Sequence, residues 1–186
     1  MTRVASLSAE DRRNLLDALG EAQRIGMLGQ APLDQVVDRS LAFVGALPES
    51  VGTVIDLGSG GGDPGLVIAL ADPHLHVTLV DRREKRTDLL TRLVGRLELG
   101  ARVEVVTADV AELPRLFPGR LWAAATSRGF GSPEYTTRHA ASVVGSGGVL
   151  LVSEPPSSDG ARWAGSIKFG FFLDRVENGV AVLVRT

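Results

Sequence analysis

Three aspartates in the middle of the chain, Asp56, Asp81 and Asp109, each stand at or just beyond the end of a short run rich in β-branched residues: TVIDL (53–57), HVTLVD (76–81) and RVEVVTA (102–108). The first run leads directly into a glycine-rich turn, GSGGGDPG (58–65), and then into an apolar stretch. A strand, a glycine turn and a helix in that order let a ligand approach the backbone closely, because no Cβ stands in the way. Gly60, Gly62 and Gly65 satisfy G-x-G-x-x-G. That spacing alone is a weak signal for a dinucleotide site, which must keep its helix N-terminus free for a pyrophosphate. Asp63 would set a full negative charge beside that anion, which counts against a nicotinamide-dependent dehydrogenase.

The other frame is Asp56-x-Gly58-x-Gly60, and it suits a cationic ligand without phosphate. S-adenosylmethionine is such a ligand, with an ammonium, a sulfonium, a ribose diol and an adenine. The Asp56 carboxylate can pair with the ammonium directly or through water, and Gly58 and Gly60 admit the backbone close to the ligand. Asp81 can accept hydrogen bonds from both ribose hydroxyls, and Asp109, in TADVAE, from the adenine amino group. The bland alternative is that these carboxylates cap the helices that follow them.

The elements that must position these residues follow from the pattern around them. Residues 8–25 place Leu15, Leu16, Leu19, Ala22 and Ile25 at helical spacing, with Ser8 as N-cap and Asp11 where a capping box has Glu. A second helix is expected over Leu33–Leu47. From Val51 onward strands alternate with helices: the three runs above, then LWAAATS (121–127) and GVLLVSE (148–154), separated by helical stretches at 64–71, 83–99, 111–117 and 133–144. Alternation of this kind implies right-handed crossovers and a parallel sheet covered on both faces. It stops at FGFFLDRV (169–176) and VAVLVRT (180–186), which Asn178-Gly179 joins as a hairpin. Five parallel strands and a terminal antiparallel hairpin describe the Rossmann-like class I methyltransferase fold. The expected organisation is a small helical N-terminal extension over 1–50 and the methyltransferase domain over 51–186, forming one structural unit.

Composition narrows the class. The 186 residues carry 44% hydrophobic and 23% charged side chains, as expected of a folded globular domain. No apolar run approaches the roughly 18 residues of a membrane span, and the polar start MTRVASLSAEDRRNLL is unlike a secretory signal. The absence of cysteine leaves no disulfide or thiolate zinc site and fits a reducing, cytoplasmic setting. The formal net charge is −2, so nucleic acid would have to be held by a local patch. His74, His76 and His139 have no cysteine or third ligand near them in sequence, and no metal site is expected.

The segment VIDLGSGGGDPGLVIALADPHLHVTLVDRREKR resembles the small-subunit (16S) ribosomal RNA guanine-N7 methyltransferases, the glucose-inhibited division protein B family. Pro64-Gly65, Lys85-Arg86 and TSRGFG (126–131) match that family's motifs, and the resemblance runs from about Leu33 to Pro155. It implies an S-adenosylmethionine-dependent methyltransferase acting in rRNA processing, with cofactor contacts at Gly58 and Asp63, backbone contacts at Val110 and Ala111, and a role for Arg128. The family's usual hydrophobic residue is replaced by Asp63, which can cap the next helix or reach the cofactor's positive end. Its arginine-histidine pair falls on Gln35 and Val36, and its lysine-glycine on Glu154 and Pro155, a charge reversal at the expected mouth of the site. The segment PPSSDGARWAGSIK is shorter than the family's long helix.

Methylation of guanine N7 needs no general base, because its lone pair lies in the ring plane and is already nucleophilic. Positioning then carries the catalysis, and no catalytic residue is assigned beyond two acceptor-pocket candidates. Arg128 can bind the cofactor carboxylate, a phosphate or guanine O6, or form a surface ion pair. Phe130 can stack on a base or pack in the core. Basic residues at Arg82, Arg83, Lys85, Arg86, Arg92 and Arg96 read either as a solvated helix face or as a phosphate-tracking patch. Trp163 reads as a lid or as a core cover. The alternatives to an RNA acceptor are a diverged enzyme acting on a small molecule and a cofactor-binding, non-enzymatic relative.

Overall fold

A computed structural model describes residues 6–186. The first five residues of the polar N-terminal stretch lie outside the described residues. Helix α1 (Ala9–Arg24) starts where the sequence predicts it: the Ser8 hydroxyl accepts from the Asp11 N–H at 3.0 Å and donates to the Asp11 carboxylate at 2.6 Å. Helix α2 (Leu33–Ala46) follows Pro32. The sheet is then laid down by β1 (Thr53–Leu57), α3 (Gly65–Ala71), β2 (His76–Asp81), α4 (Glu84–Arg96), β3 (Val103–Thr107), a 3-10 turn (Val110–Glu112) with the single-turn α5 (Leu113–Leu116), β4 (Trp122–Ser127), α6 (Pro133–Ala141), β5 (Val144–Ser153), β6 (Phe171–Glu177) and β7 (Val180–Arg185).

The strand order is β3-β2-β1-β4-β5-β7-β6. The first five strands are parallel, and β7 runs antiparallel to both β5 and β6. Asn178 and Gly179 both adopt positive φ, 49° and 74°, the pair of left-handed residues that a two-residue I′ hairpin requires.

Strand alternation sorts the core onto two faces. Val54 and Leu79 join Leu15, Leu19, Phe43, Leu66 and Leu89 on the side of α1–α4, whereas Ile55, Leu57 and Val80 join Trp122, Val144, Trp163 and Phe171 on the other. Helices α1 and α2 therefore share one continuous core with the sheet.

The expected boundaries shift at several elements: α4 stops at Arg96 and β6 begins at Phe171, and the largest change is at β5. Strand β5 begins at Val144, because Val144 pairs with Trp122 before a bulge between Trp122 and Ala124 resets the register; α6 consequently ends at Ala141. A Cβ on Gly148 would lie 2.6 Å from Val144 Cγ1 and 2.7 Å from the Ala123 carbonyl, so the bulge needs glycine there. The segment before β6 folds as a 3-10 stretch over Ala161–Phe169. Among the described residues no helix is long and apolar enough to cross a membrane.

Because Phe43 is 2% exposed within the core shared by α2 and the sheet, Phe43→Ala is expected to cost about 3–5 kcal/mol of global stability. Chemical denaturation followed by circular dichroism measures it, in one transition if the helices and sheet unfold together.

Candidate active site

The carboxyl ends of β1, β2, β3 and β4 reach one edge of the sheet, where ligands of open parallel sheets bind. A cavity of about 710 Å³ opens there, lined by residues from four loops: Gly58 after β1, Val80 to Arg83 and Arg86 around β2 and α4, Ala108 to Val110 after β3, and Gly129 to Ser132 with Tyr135 after β4. Its volume falls within the range of small-molecule sites, roughly 300–1,000 Å³.

Asp81 organises the floor. Its carboxylate, 4% exposed, accepts from the Arg83 N–H at 3.0 Å on Oδ1, and from the Gly60 N–H and Arg86 Nη1, both at 3.1 Å, on Oδ2. Each carboxylate oxygen accepts about two hydrogen bonds. Oδ1 therefore keeps one free site, and Oδ2 gains one only when Arg86 moves away. Asp109 does two things at once: its Oδ1 accepts from the Ala111 N–H at 3.0 Å, capping the 3-10 turn, while the residue lines the cavity. The glycine turn is pinned to β2, since the N–H groups of Gly58 and Ser59 both donate to the Val80 carbonyl, at 2.9 and 2.8 Å.

Of the residues expected to contact the cofactor, Gly58, Asp81, Asp109 and Val110 line this cavity, and of the two acceptor candidates Phe130 does. The Phe130 ring lies over Gly58, where an added Cβ would come within 2.6 Å of its Cδ2. Its own neighbour is Tyr135, with ring centroids 5.2 Å apart, and Tyr135 in turn meets His139 at 4.4 Å. Tyr135 was not singled out in the sequence; its type and its place in the first turn of α6 were the available signals. Arg86, a member of the basic cluster and of the Lys85-Arg86 motif, is the partner of Asp81.

The remaining expected residues lie elsewhere. Asp56 is 1% exposed and faces α3, because it shares the strand face of Val54. Its Oδ1 accepts from Thr126 at 2.7 Å, its cross-strand neighbour on β4, and its Oδ2 has no partner. Gly60 stands behind the Asp81 carboxylate, and the Ala111 N–H is consumed by Asp109. Asp63 does not cap α3, whose N-cap is Pro64 after a cis Asp63–Pro64 bond. Instead its carboxylate accepts from the Ser40 hydroxyl of α2 and from Arg128 Nη1. Arg128 is thus turned into a largely buried ion pair and away from the cavity; it is neither a cavity residue nor a surface pair. Glu154 does not reverse the charge at the mouth: it is buried and accepts from Ser158, Arg162 and Trp163 Nε1. Trp163 is 3% exposed, a core residue that fastens the 3-10 segment to the end of β5.

Two buried carboxylates carry shifted ionisation. Burial pushes Asp56 up to about 6, with the Thr126 hydrogen bond opposing and the nearby Asp63 charge adding to the shift. Burial also raises Asp63, against the pull of Arg128 and the Ser40 hydrogen bond. Among the described residues no cluster of histidine and carboxylate side chains has metal-binding geometry.

The family model for GidB, described as rRNA small subunit methyltransferase G, matches residues 23–155. The chain belongs to this family. Relatives named ribosomal RNA small subunit methyltransferase G include one from Salinispora tropica, 41% identical over 91 residues, covering 47% of this chain and 38% of the relative. Another, from Mycobacterium sp. (strain KMS), is 34% identical over 131 residues, covering 68% of this chain and 56% of the relative. The chain therefore spans between about two-fifths and just over half the length of these family members. The fold is also that of solved structures: cofactor-bound Rv0187 from MTB superposes with a TM-score of 0.66 at 18% identity, covering 93% of this chain and 89% of that one. An O-methyltransferase family protein from Burkholderia thailandensis superposes at 0.60 with 21% identity, covering 82% of this chain and 57% of that one. The architecture is the class I methyltransferase fold, as the strand pattern predicts.

Removing Arg128 leaves the Asp63 carboxylate, 5% exposed, without its ion-pair partner and with only the weaker field of Arg39. Arg128→Ala is expected to cost on the order of 3 kcal/mol, and Asp63→Leu in the same chain to restore most of it, as read by denaturant unfolding. Asp56 adds a pH signature. Its folded pKa of about 6 lies above the ordinary carboxylate value, so its contribution is present at pH 4 and lost as the pH rises through 6. Asp56→Asn is expected to gain stability relative to wild type between pH 4 and pH 8, by roughly 3 kcal/mol for a shift of about two pH units; parallel stability–pH curves would overturn the assignment.

Proposed function

We propose that this protein is an S-adenosylmethionine-dependent methyltransferase that modifies N7 of a guanosine in small-subunit ribosomal RNA, working in the cytoplasm on the RNA or the small-subunit particle. The observation that carries the reading is the cavity at the carboxyl edge of the sheet, with Gly58, Asp81 and Asp109 gathered on it, in a chain of the rRNA small subunit methyltransferase G family.

The residues present fit the cofactor. The Val80, Ala108 and Val110 surfaces offer an apolar floor for a purine. Asp81 Oδ1 keeps a free acceptor site for a ribose hydroxyl, and Oδ2 frees a second one if Arg86 swings aside. Asp109 retains an oxygen for an exocyclic amine. Gly58, at φ 75°, brings its backbone to the cavity wall in a conformation that side chains resist. Gly60 and Asp56 act from behind: the Gly60 N–H fixes the Asp81 rotamer, and Asp56 ties β1 to β4 through Thr126.

When bound, S-adenosylmethionine supplies a methyl group already activated by its sulfonium. The chain's task is then to hold the acceptor nitrogen in line and to exclude water, without moving a proton. Phe130 and Tyr135 provide π-faces for the acceptor base on the β4 side of the cavity. Arg128 contributes by holding the β4 loop against the glycine turn through Asp63.

Calorimetric titration with S-adenosylmethionine and S-adenosylhomocysteine, followed by methyl transfer to small-subunit particles lacking N7 methylation, tests the proposal. Asp81→Asn is expected to weaken cofactor binding at least about tenfold, equivalent to about 1.4 kcal/mol, with the fold retained. Undiminished affinity in that variant would displace the cofactor from this cavity. Cofactor binding by the wild type with transfer only to small molecules would replace the RNA acceptor.

A further inference from the structure

The basic residues between Arg82 and Arg96 separate into two groups once the chain is folded. Arg92 and Arg96, late in α4, bond to Glu21 of α1 at 3.2 and 3.3 Å, and Arg86 is tied to Asp81. Arg82, Arg83 and Lys85 are exposed, and among the described residues no carboxylate pairs with any of them. They stand at the start of α4, where the helix dipole disfavours cations. Folding therefore gains nothing from gathering three positive charges at that point.

Their position suits a different purpose. Arg82 and Arg83 line the cavity from the β2 side. Phe130 and Tyr135 line it from the β4 side, and Tyr135 is 41% exposed. Because β2 and β4 flank β1 in the sheet, the cavity has a cationic lip and an aromatic wall on opposite sides of the glycine turn. A phosphate on one side and a base on the other is the chemistry of a nucleotide: arginine forks match phosphate oxygens, and aromatic rings stack on bases. S-adenosylmethionine carries no phosphate, and its single carboxylate can engage one arginine fork at most, which leaves the rest of this lip without an anion from the cofactor.

We infer that Arg82 and Arg83, with Lys85 beside them, hold backbone phosphates of the RNA strand next to the acceptor nucleotide. The inference rests on the RNA-methyltransferase reading above. It locates the RNA path along the β2–α4 edge of the cavity, on a molecule whose net charge of −2 provides no general attraction for nucleic acid.

The test uses the full chain, unmethylated in-vitro-transcribed small-subunit ribosomal RNA as probe, and salt from 50 to 200 mM, with S-adenosylhomocysteine present. For Arg82→Ala/Arg83→Ala, RNA affinity at 100 mM salt should fall about tenfold or more. The slope of log affinity against log salt should become shallower by roughly 1.4–1.8, two phosphate contacts' worth. Cofactor affinity measured by calorimetry should stay within about twofold of wild type, which also reports that the variant is folded. Arg82→Lys/Arg83→Lys, which keeps the charges, should retain the wild-type slope. An unchanged slope in the alanine variant, with a wild type that binds and methylates the RNA, would overturn this inference and leave the proposed function standing. A parallel loss of cofactor affinity would reassign the arginines to the cofactor. A wild type that binds cofactor and no RNA would overturn both.

Discussion

Everything in this molecule depends on the parallel register of β3, β2, β1 and β4. Asp56 stands beside Leu79 on one side and Thr126 on the other, and Asp81 beside Thr107, so four strands end at nearly one level. Helices and the 3-10 segment cover both faces, which leaves the carboxyl edge as the place where a ligand can meet the backbone. The glycine turn is clamped there by the Val80 carbonyl, which accepts from two successive N–H groups. Ser59 Oγ also accepts from the Val80 N–H at 3.0 Å and donates to the Asp56 carbonyl at 2.9 Å. The floor of the cavity is thus tied into the sheet ladder.

Around that edge the protein buries four carboxylates and treats each one differently. Glu154 is satisfied by a hydroxyl, an indole N–H and a guanidinium, and so anchors the segment that closes the far face. Asp63 joins α2, the glycine turn and the β4 loop through Ser40 and Arg128. Asp81 is ringed by donors yet still lines the cavity. Asp56 alone is left with an unpaired oxygen, and burial raises its pKa in consequence. The carboxylate that faces the ligand space is the one held by backbone donors, which fix its orientation without occupying every lone pair.

The arginines follow the same division. A chain with almost no net charge gathers cations locally and spends most of them on its own acids: Arg12 on Asp34 and Asp38, Arg92 and Arg96 on Glu21, Arg120 on Glu104. Exposed pairs of this kind contribute little to stability, but within the stretch 82–96 they leave Arg82, Arg83 and Lys85 as the cations without a carboxylate partner, at the cavity's β2 side. Pairing thus turns a diffuse basic stretch of sequence into a directional surface.

The elements and their order are legible in local stretches of the sequence. Ser8 begins α1, β-branched runs become strands, Asn178-Gly179 turns the hairpin, and Asp81 falls at a strand end, because torsional preference, capping and turn chemistry act over a few residues. Where the charged side chains point is set by contacts between residues far apart in the chain. Arg128 lies 65 positions from Asp63, and Asp56 lies 70 from Thr126. A strand buried on both faces has no polar alternation to say which way Asp56 faces. Glu154, an acid just past a strand end, reads locally as a charge at the site's mouth, and becomes an internal acceptor only because Trp163 and Arg162 fold back over it. Pairings of this kind are set by chain topology, and their cost or benefit depends on a burial that exists only once the sheet has closed around them.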